Sequence, residues 1–199
     1  KDYSTKRTAF GKAIIDHALH VETLMDQYVD YAASFHIVMR AVELLGKEET
    51  GKASEEESAL LRLLTPIIKL FSGKKVMSVT SEVMEVFGGA GYVEDTKMPR
   101  MLRDAQVFSI WEGTTNVLSL DVLRAIEKEN AFKPFMKEMS TRLQNIIKEP
   151  MAGQQLKGEV QAIEKSLKDL ESYFHKIISG GASGLEDLQT SARYFAISL

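Results

Sequence analysis

The chain has 199 residues, 44% hydrophobic and 27% charged, with a formal net charge of −3. This is an ordinary globular composition, enough for one cored domain or a domain with an appendage. So small a charge argues against general affinity for nucleic acid or acidic membranes, and no apolar run reaches the roughly 18 residues of a membrane span. The absence of cysteine excludes disulfides and thiol catalysis, removes the soft ligands of a structural zinc, and suits a cytoplasm or a mitochondrial matrix equally.

The opening KDYSTKRTAFGKAI lacks an initiator Met and reads as mid-chain sequence, so a piece of a longer protein is expected. From there helical periodicity dominates and strand signals are almost absent. Apolar residues recur at steps of three and four from Val21 through Leu24, Met25, Tyr28, Tyr31 and Phe35 to Leu45, which predicts a helix stopped by Gly46. The polar stretch LGKEETGKASEEE reads as a loop, and Ser54 with Glu57 fits a capping box that opens the next helix.

That helix, about 55–87, is apolar on most sides around Leu60, Leu63, Leu64, Ile67 and Leu70, which predicts a central place in a bundle. Pro66 should interrupt and kink it, and Gly88 to Gly91 should end it in a sharp backbone break. A short helix is expected over 97–110 and another over 114–130. A soft boundary falls near residue 130, followed by helices over 132–147, 155–178 and 184–198, with breaks at Pro150–Gly153 and Ser179–Gly184. The expected fold class is all-α: a four-helix bundle over residues 1–130 with a helical C-terminal extension over residues 131–199.

Three segments carry the chemistry. They are Arg7-Thr8-Ala9-Phe10-Gly11, Glu85-Val86-Phe87-Gly88-Gly89-Ala90-Gly91-Tyr92, and Arg103-Asp104-Ala105 followed by Ile110-Trp111-Glu112-Gly113-Thr114. Each alone is a common feature: a turn, a glycine-rich helix end, an acid before a helix. In this order and spacing they resemble the R-x-x-F-G, [QE]-x-x-G-G-x-G-[FY] and R-D-A…I-[YW]-E-G-[TS] motifs of acyl-CoA dehydrogenases, over the family's C-terminal helical bundle. The segments LHVETL, LLTPIIKL and IWEGTTNVLSLDVLR are similar to the AidB-like branch, whose members also extend past the four-helix core.

The resemblance implies an FAD-dependent alpha,beta-desaturation of a medium to long fatty acyl-CoA, with Glu112 as the base that removes the alpha proton. That proton is weakly acidic, so the chemistry needs a carboxylate within hydrogen-bond reach of it. Gly113 allows the chain to turn closely past a ligand, and Thr114 is a good N-cap for the following helix. The bland alternative for Glu112 is an exposed residue in a helix connection. The resemblance further implies FAD contacts at Arg7, Phe10, Glu85, Gly88, Gly89, Thr114 and Asn116, and substrate contacts at Trp111 and Gly113. Arg7 and Phe10 would reach the FAD of a neighbouring subunit; otherwise they are a solvated Arg and a core Phe. Trp111 is either core or a neighbour of flavin and thioester. Glu85 and Asn116 stand where many relatives have Gln. The glycine run is not a G-x-G-x-x-G fingerprint, and no strand precedes it.

Arg103 and Asp104 read as a structural ion pair as much as a ligand site. The four histidines, His17, His20, His36 and His175, have no acidic partner at metal-site spacing and read as surface or core residues, with no metal expected. The implied partners are an acyl-CoA substrate, an N-terminal helical domain and a β-domain of the same protein, and further copies in a dimer of dimers. Two other readings compete. One is a nucleic-acid-associated AidB-type flavoprotein with vestigial activity, which the balance after residue 129 demotes (nine Lys/Arg against eight Asp/Glu, net +1). The other is a purely structural oligomerisation bundle, against which a Glu at position 112 argues.

Overall fold

Helices form wherever the 3.6-residue period was strongest, and the computed structural model, which describes residues 1–179 and 181–199, bears out the all-α class. A short α1 (Asp2–Lys6) leads into a two-stranded antiparallel hairpin, β1 (Thr8–Ala9) and β2 (Lys12–Ala13), in the register Thr8 to Ala13 and Ala9 to Lys12. A single 3-10 turn, Ile14–Asp16, precedes two long helices, α2 (Ala18–Glu49) and α3 (Glu55–Val86). Then come α4 (Gly89–Tyr92), α5 (Met98–Val107) and α6 (Thr115–Glu129). The chain finishes with α7 (Phe132–Lys148), α8 (Pro150–Gln155), α9 (Lys157–Ser179) and α10 (Gly181–Ser198). Of the expected break at Ser179–Gly184, only Gly180 lies outside the described residues; α9 runs to Ser179 and α10 already starts at Gly181, ahead of the expected start at 184, so the break is shorter than the run of small residues suggested.

Several expectations are corrected. Gly46 does not stop α2, because an interior glycine costs only about 1 kcal/mol and removes no hydrogen bond. The helix ends at Glu49, where Gly51 takes φ +67 and the amides of Gly51 and Lys52 donate to the carbonyls of Glu48 (3.0 Å) and Lys47 (2.8 Å). This Schellman closure needs a left-handed residue, which Gly46 could not have supplied inside the helix. Pro66 does not interrupt α3: its side chain is fully buried, and burial of the ring offsets the one missing backbone donor. Pro150 opens α8 where the break was expected, since a first-turn residue has no helical acceptor for its amide anyway. The hairpin was missed altogether.

The capping box is present: the Glu57 amide donates to Ser54 Oγ at 3.2 Å and the Ser54 amide to the Glu57 carboxylate at 3.0 Å.

The chain divides into two compact units. The first comprises Lys1–Arg40 and Ile68–Thr115, the second Ala41–Ile67 and Asn116–Leu199. The second holds a dense core: Leu63 and Val122 are completely buried, and Phe132, Phe174 and Phe195 form an aromatic cluster with centroids 4.3 to 6.4 Å apart. An Arg62–Asp121 bridge, doubly hydrogen-bonded at 3.0 and 2.8 Å, joins α3 to α6 within that unit. In the first unit the α2 residues Met25, Tyr28, Val29, Tyr31, Phe35 and Met39 keep their apolar surface exposed.

Candidate active site

The hairpin presents the first motif. Its two-residue loop is Phe10–Gly11, with φ of +53 and +84, the pair of left-handed conformations that matches the twist of the flanking strands. Phe10 is therefore held at the tip, 97% exposed, with its ring edge-on to His17 at 6.2 Å. Arg7, which closes α1, accepts the Ile14 amide on its carbonyl at 2.9 Å, and its guanidinium has no acidic partner among the described residues. The ring of Tyr3 in α1 stacks on Phe87 at 4.4 Å, and its hydroxyl donates to the Phe87 carbonyl at 3.1 Å. One aromatic contact thus fixes the first motif segment against the residue preceding the glycine turn. At the other side of α1, the buried Ser4 hydroxyl hydrogen-bonds His20 Nε2 at 2.9 Å.

The glycine turn is sharp because only glycine fits it. Gly88 adopts φ +57 with ψ −138, a region closed to side-chain-bearing residues. Gly91 is buried against the end of α3, where a Cβ would lie 2.1 Å from the Met84 carbonyl oxygen. Gly88 and Gly89 are exposed, with open space where a Cβ would stand, so their backbone is approachable. Glu85 is exposed in the last turn of α3 and makes no side-chain hydrogen bond or ion pair among the described residues.

After α5 the chain makes an irregular turn. The amides of Ile110 and Trp111 both donate to the Val107 carbonyl, at 2.9 and 2.8 Å. Trp111 is 64% exposed, so it is not a core residue within this chain. Glu112 follows at φ +53 and Gly113 at φ +120. A left-handed Glu is uncommon and carries a strain of order 1 kcal/mol. Among the described residues, Phe10 and Glu112 are two of the four non-glycine residues with positive φ, and both lie in the motifs. The Glu112 carboxylate is exposed and has no hydrogen-bond or ion-pair partner among the described residues, which leaves its oxygens available to take a proton. Thr114 stands immediately before α6, and Asn116 begins the residues of the second unit.

The expected Arg103–Asp104 pair is not formed, since side chains one residue apart on a helix diverge. Arg103 instead makes two hydrogen bonds with Glu94, at 3.0 and 3.1 Å, and Asp104 pairs with Arg100 at 3.4 Å. The Arg103 guanidinium holds the Glu94 carboxyl below its ordinary range.

Sequence reasoning overlooked what anchors the turn before Glu112. Lys69 Nζ donates to the Phe108 carbonyl at 2.5 Å, and one turn further along α3 a Cβ on Gly73 would stand 2.8 Å from that same oxygen. The signal was available, because a glycine inside a long helix usually marks a close backbone approach. A cleft of about 890 Å³ in the second unit, lined among others by Leu123, Lys128, Phe132, Lys133 and Phe174, contains none of the motif residues.

Residues 1–127 match the family model for the acyl-CoA dehydrogenase C-terminal domain. The chain is 43% identical over its whole length to acyl-CoA dehydrogenase family member 11 of Caenorhabditis elegans, and 28% identical over 87% of its length to the putative acyl-CoA dehydrogenase AidB of Escherichia coli. It spans 32% and 29% of those two proteins. The crystal structure of C. elegans ACDH-11 in complex with C11-CoA superposes with a TM-score of 0.90 at 42% identity, over 99% of this chain and 33% of that one.

Proposed function

This chain belongs to the acyl-CoA dehydrogenase family, and from that premise we propose that it forms the C-terminal helical part of an enzyme that desaturates a fatty acyl-CoA, with Glu112 as the base. The observation that carries the reading is the state of Glu112: exposed, without a partner among the described residues, and held in a left-handed turn anchored to α3. Strain kept at a carboxylate that stabilises nothing in its own fold points to a functional constraint.

In this mechanism a Glu112 carboxylate oxygen takes the alpha proton of the thioester. The electron pair of that C–H bond becomes the new double bond as a hydride leaves the beta carbon. Family members are FAD-dependent; bound FAD would accept that hydride. The residues present fit such a group. The exposed Gly88–Gly89 turn leaves backbone that no side chain covers open to a pyrophosphate, although the Gly88 amide itself donates to the Glu85 carbonyl at 2.8 Å. Arg7 offers a cation with no acidic partner among the described residues, and Phe10 an apolar surface at the hairpin tip. Glu85, Thr114 and Asn116 complete the proposed cofactor contacts, and Trp111 with Gly113 would border the acyl thioester. A medium to long acyl chain is the proposed substrate class, which the C11-CoA bound by the C. elegans relative supports.

Residues 1–130 would be the core bundle and residues 131–199 the extension, joined in the complete enzyme to an N-terminal helical domain and a β-domain. The exposed apolar face of α2 supports burial against those domains or against further copies in a dimer of dimers; analytical ultracentrifugation of a strict monomer would count against the copies.

The test is Glu112→Gln in the complete enzyme. This change keeps size and hydrogen bonding but removes the base. Anaerobic mixing with an acyl-CoA, followed by flavin absorbance, should show bleaching slowed by about 10²–10⁴-fold with acyl-CoA affinity nearly unchanged. Bleaching at the wild-type rate would move the base elsewhere.

A further inference from the structure

Glu112 sits at the end of a turn that α3 holds from one side. Three α3 residues at successive four-residue steps face it: Lys69, Gly73 and Met77. Lys69 donates to the Phe108 carbonyl at 2.5 Å, the missing Cβ of Gly73 leaves room for that carbonyl, and Ser109 Oγ lies 3.6 Å from Met77 Sδ. The held carbonyl belongs to the residue after Val107, whose own carbonyl accepts the amides of Ile110 and Trp111. Every backbone bond between the α3 anchor and Glu112 therefore lies inside one short, hydrogen-bonded turn.

We infer that Lys69 and Gly73 are positioning residues: they fix the Phe108 carbonyl and, through the turn it begins, the left-handed Glu112 carboxylate. The inference rests on Glu112 being the base. Neither residue touches the carboxylate. Gly73 supplies the clearance, because an added Cβ would meet backbone and not a movable side-chain end. Lys69 supplies the donor: without it, the Phe108 carbonyl, the next after one already bonded twice, loses its attachment to α3. Holding a base to within a fraction of an ångström is worth this much structure, since a misplacement near 1 Å costs proton transfer about 10²-fold.

Trp111 makes the inference testable apart from catalysis. It is the chain's single tryptophan and the neighbour of Glu112, so its fluorescence in these 199 residues reports on the turn alone. Lys69→Met and Gly73→Ala should each change its emission maximum and its quenching by acrylamide, with far-UV circular dichroism unchanged, and Lys69→Arg, which keeps a donor, should restore the wild-type signal. In the complete enzyme, flavin bleaching should slow by about tenfold for Lys69→Met and about 10²-fold for Gly73→Ala, in kcat and not in KM. In a Glu112→Gln background Lys69→Met should slow nothing further. Unaltered Trp111 fluorescence in both variants overturns the anchor, and an equal slowing with or without Glu112 makes Lys69 merely structural. If Glu112→Gln alone bleaches at the wild-type rate, the base assignment fails instead, while the fluorescence result still decides whether α3 holds the turn. Should Lys69→Met fail to fold, Lys69→Leu and Gly73→Ala carry the same comparison.

Discussion

The two units of this chain treat apolar residues in opposite ways. Among the described residues, the buried apolar side chains lie almost entirely in the second unit, whereas the first contributes Leu70, Pro99 and Ala105. The first unit exposes Met25, Tyr28, Tyr31, Phe35, Val38 and Met39 of α2, together with Phe10, Phe108, Ile110 and Trp111 around the motifs. The motif residues other than Asn116 belong to this first unit. The difference teaches that the second unit buries apolar residues in a core of its own, while the first leaves most of its large apolar side chains exposed. Exposed apolar area on this scale marks a surface made for contact.

The largest effect expected from this comparison is in the core of the second unit. Leu63→Ala removes a completely buried side chain and should destabilise the chain by about 2–5 kcal/mol in urea unfolding. Tyr31→Ala, at 62% exposure in the first unit, should stay within about 0.5 kcal/mol. Equal losses would break the contrast. Next comes Gly91→Ala, whose Cβ would stand 2.1 Å from the Met84 carbonyl oxygen. It should cost about 1–3 kcal/mol and show that the first unit, though poor in core, is tightly built at the glycine turn. A thermal shift below experimental error would refute that.

Asp121→Asn should have a smaller effect, about 1 kcal/mol, because its partner Arg62 is partly solvated and screened. The Arg62 guanidinium holds the Asp121 carboxyl below its ordinary range, so the loss should fade in acid as the wild type also loses the charge. The smallest effect is at the α2–α3 connection, within the second unit. Lys47, hydrogen-bonded at 2.6 Å, and the Ser54 amide lower the Glu57 carboxyl from 4.5 to about 2. A depressed carboxyl stabilises above its unfolded value and loses that contribution as pH falls through the folded one, here between about 4.5 and about 2. Glu57→Gln should therefore flatten the acid limb of the stability curve in that window. An unchanged limb would assign it to other groups.

Local rules carried the sequence a long way where one segment contained all that was needed. The capping box at Ser54 and Glu57 and the period of α7 were legible because their causes lie within a few residues. Pro66 failed as a breaker because burial of its ring outweighed one missing bond. The hairpin was missed because strands of two residues carry no period, only the left-handed Phe10–Gly11 loop. Trp111 shows the other limit: periodicity marks an apolar stripe but not what covers it.

By itself the sequence determined the helical class, the family and the three motif segments, since periodicity, caps and glycine positions are local properties of the chain. Only the tertiary structure decided that Arg103 pairs with Glu94 and not with its neighbour Asp104, that Tyr3 joins the first motif segment to the second, and that Lys69 and Gly73 hold the turn before Glu112. Those contacts link residues 9, 84 and 39 positions apart, the last being Lys69 to Phe108. No local pattern encodes them, because partners so placed are chosen by the packing of whole helices.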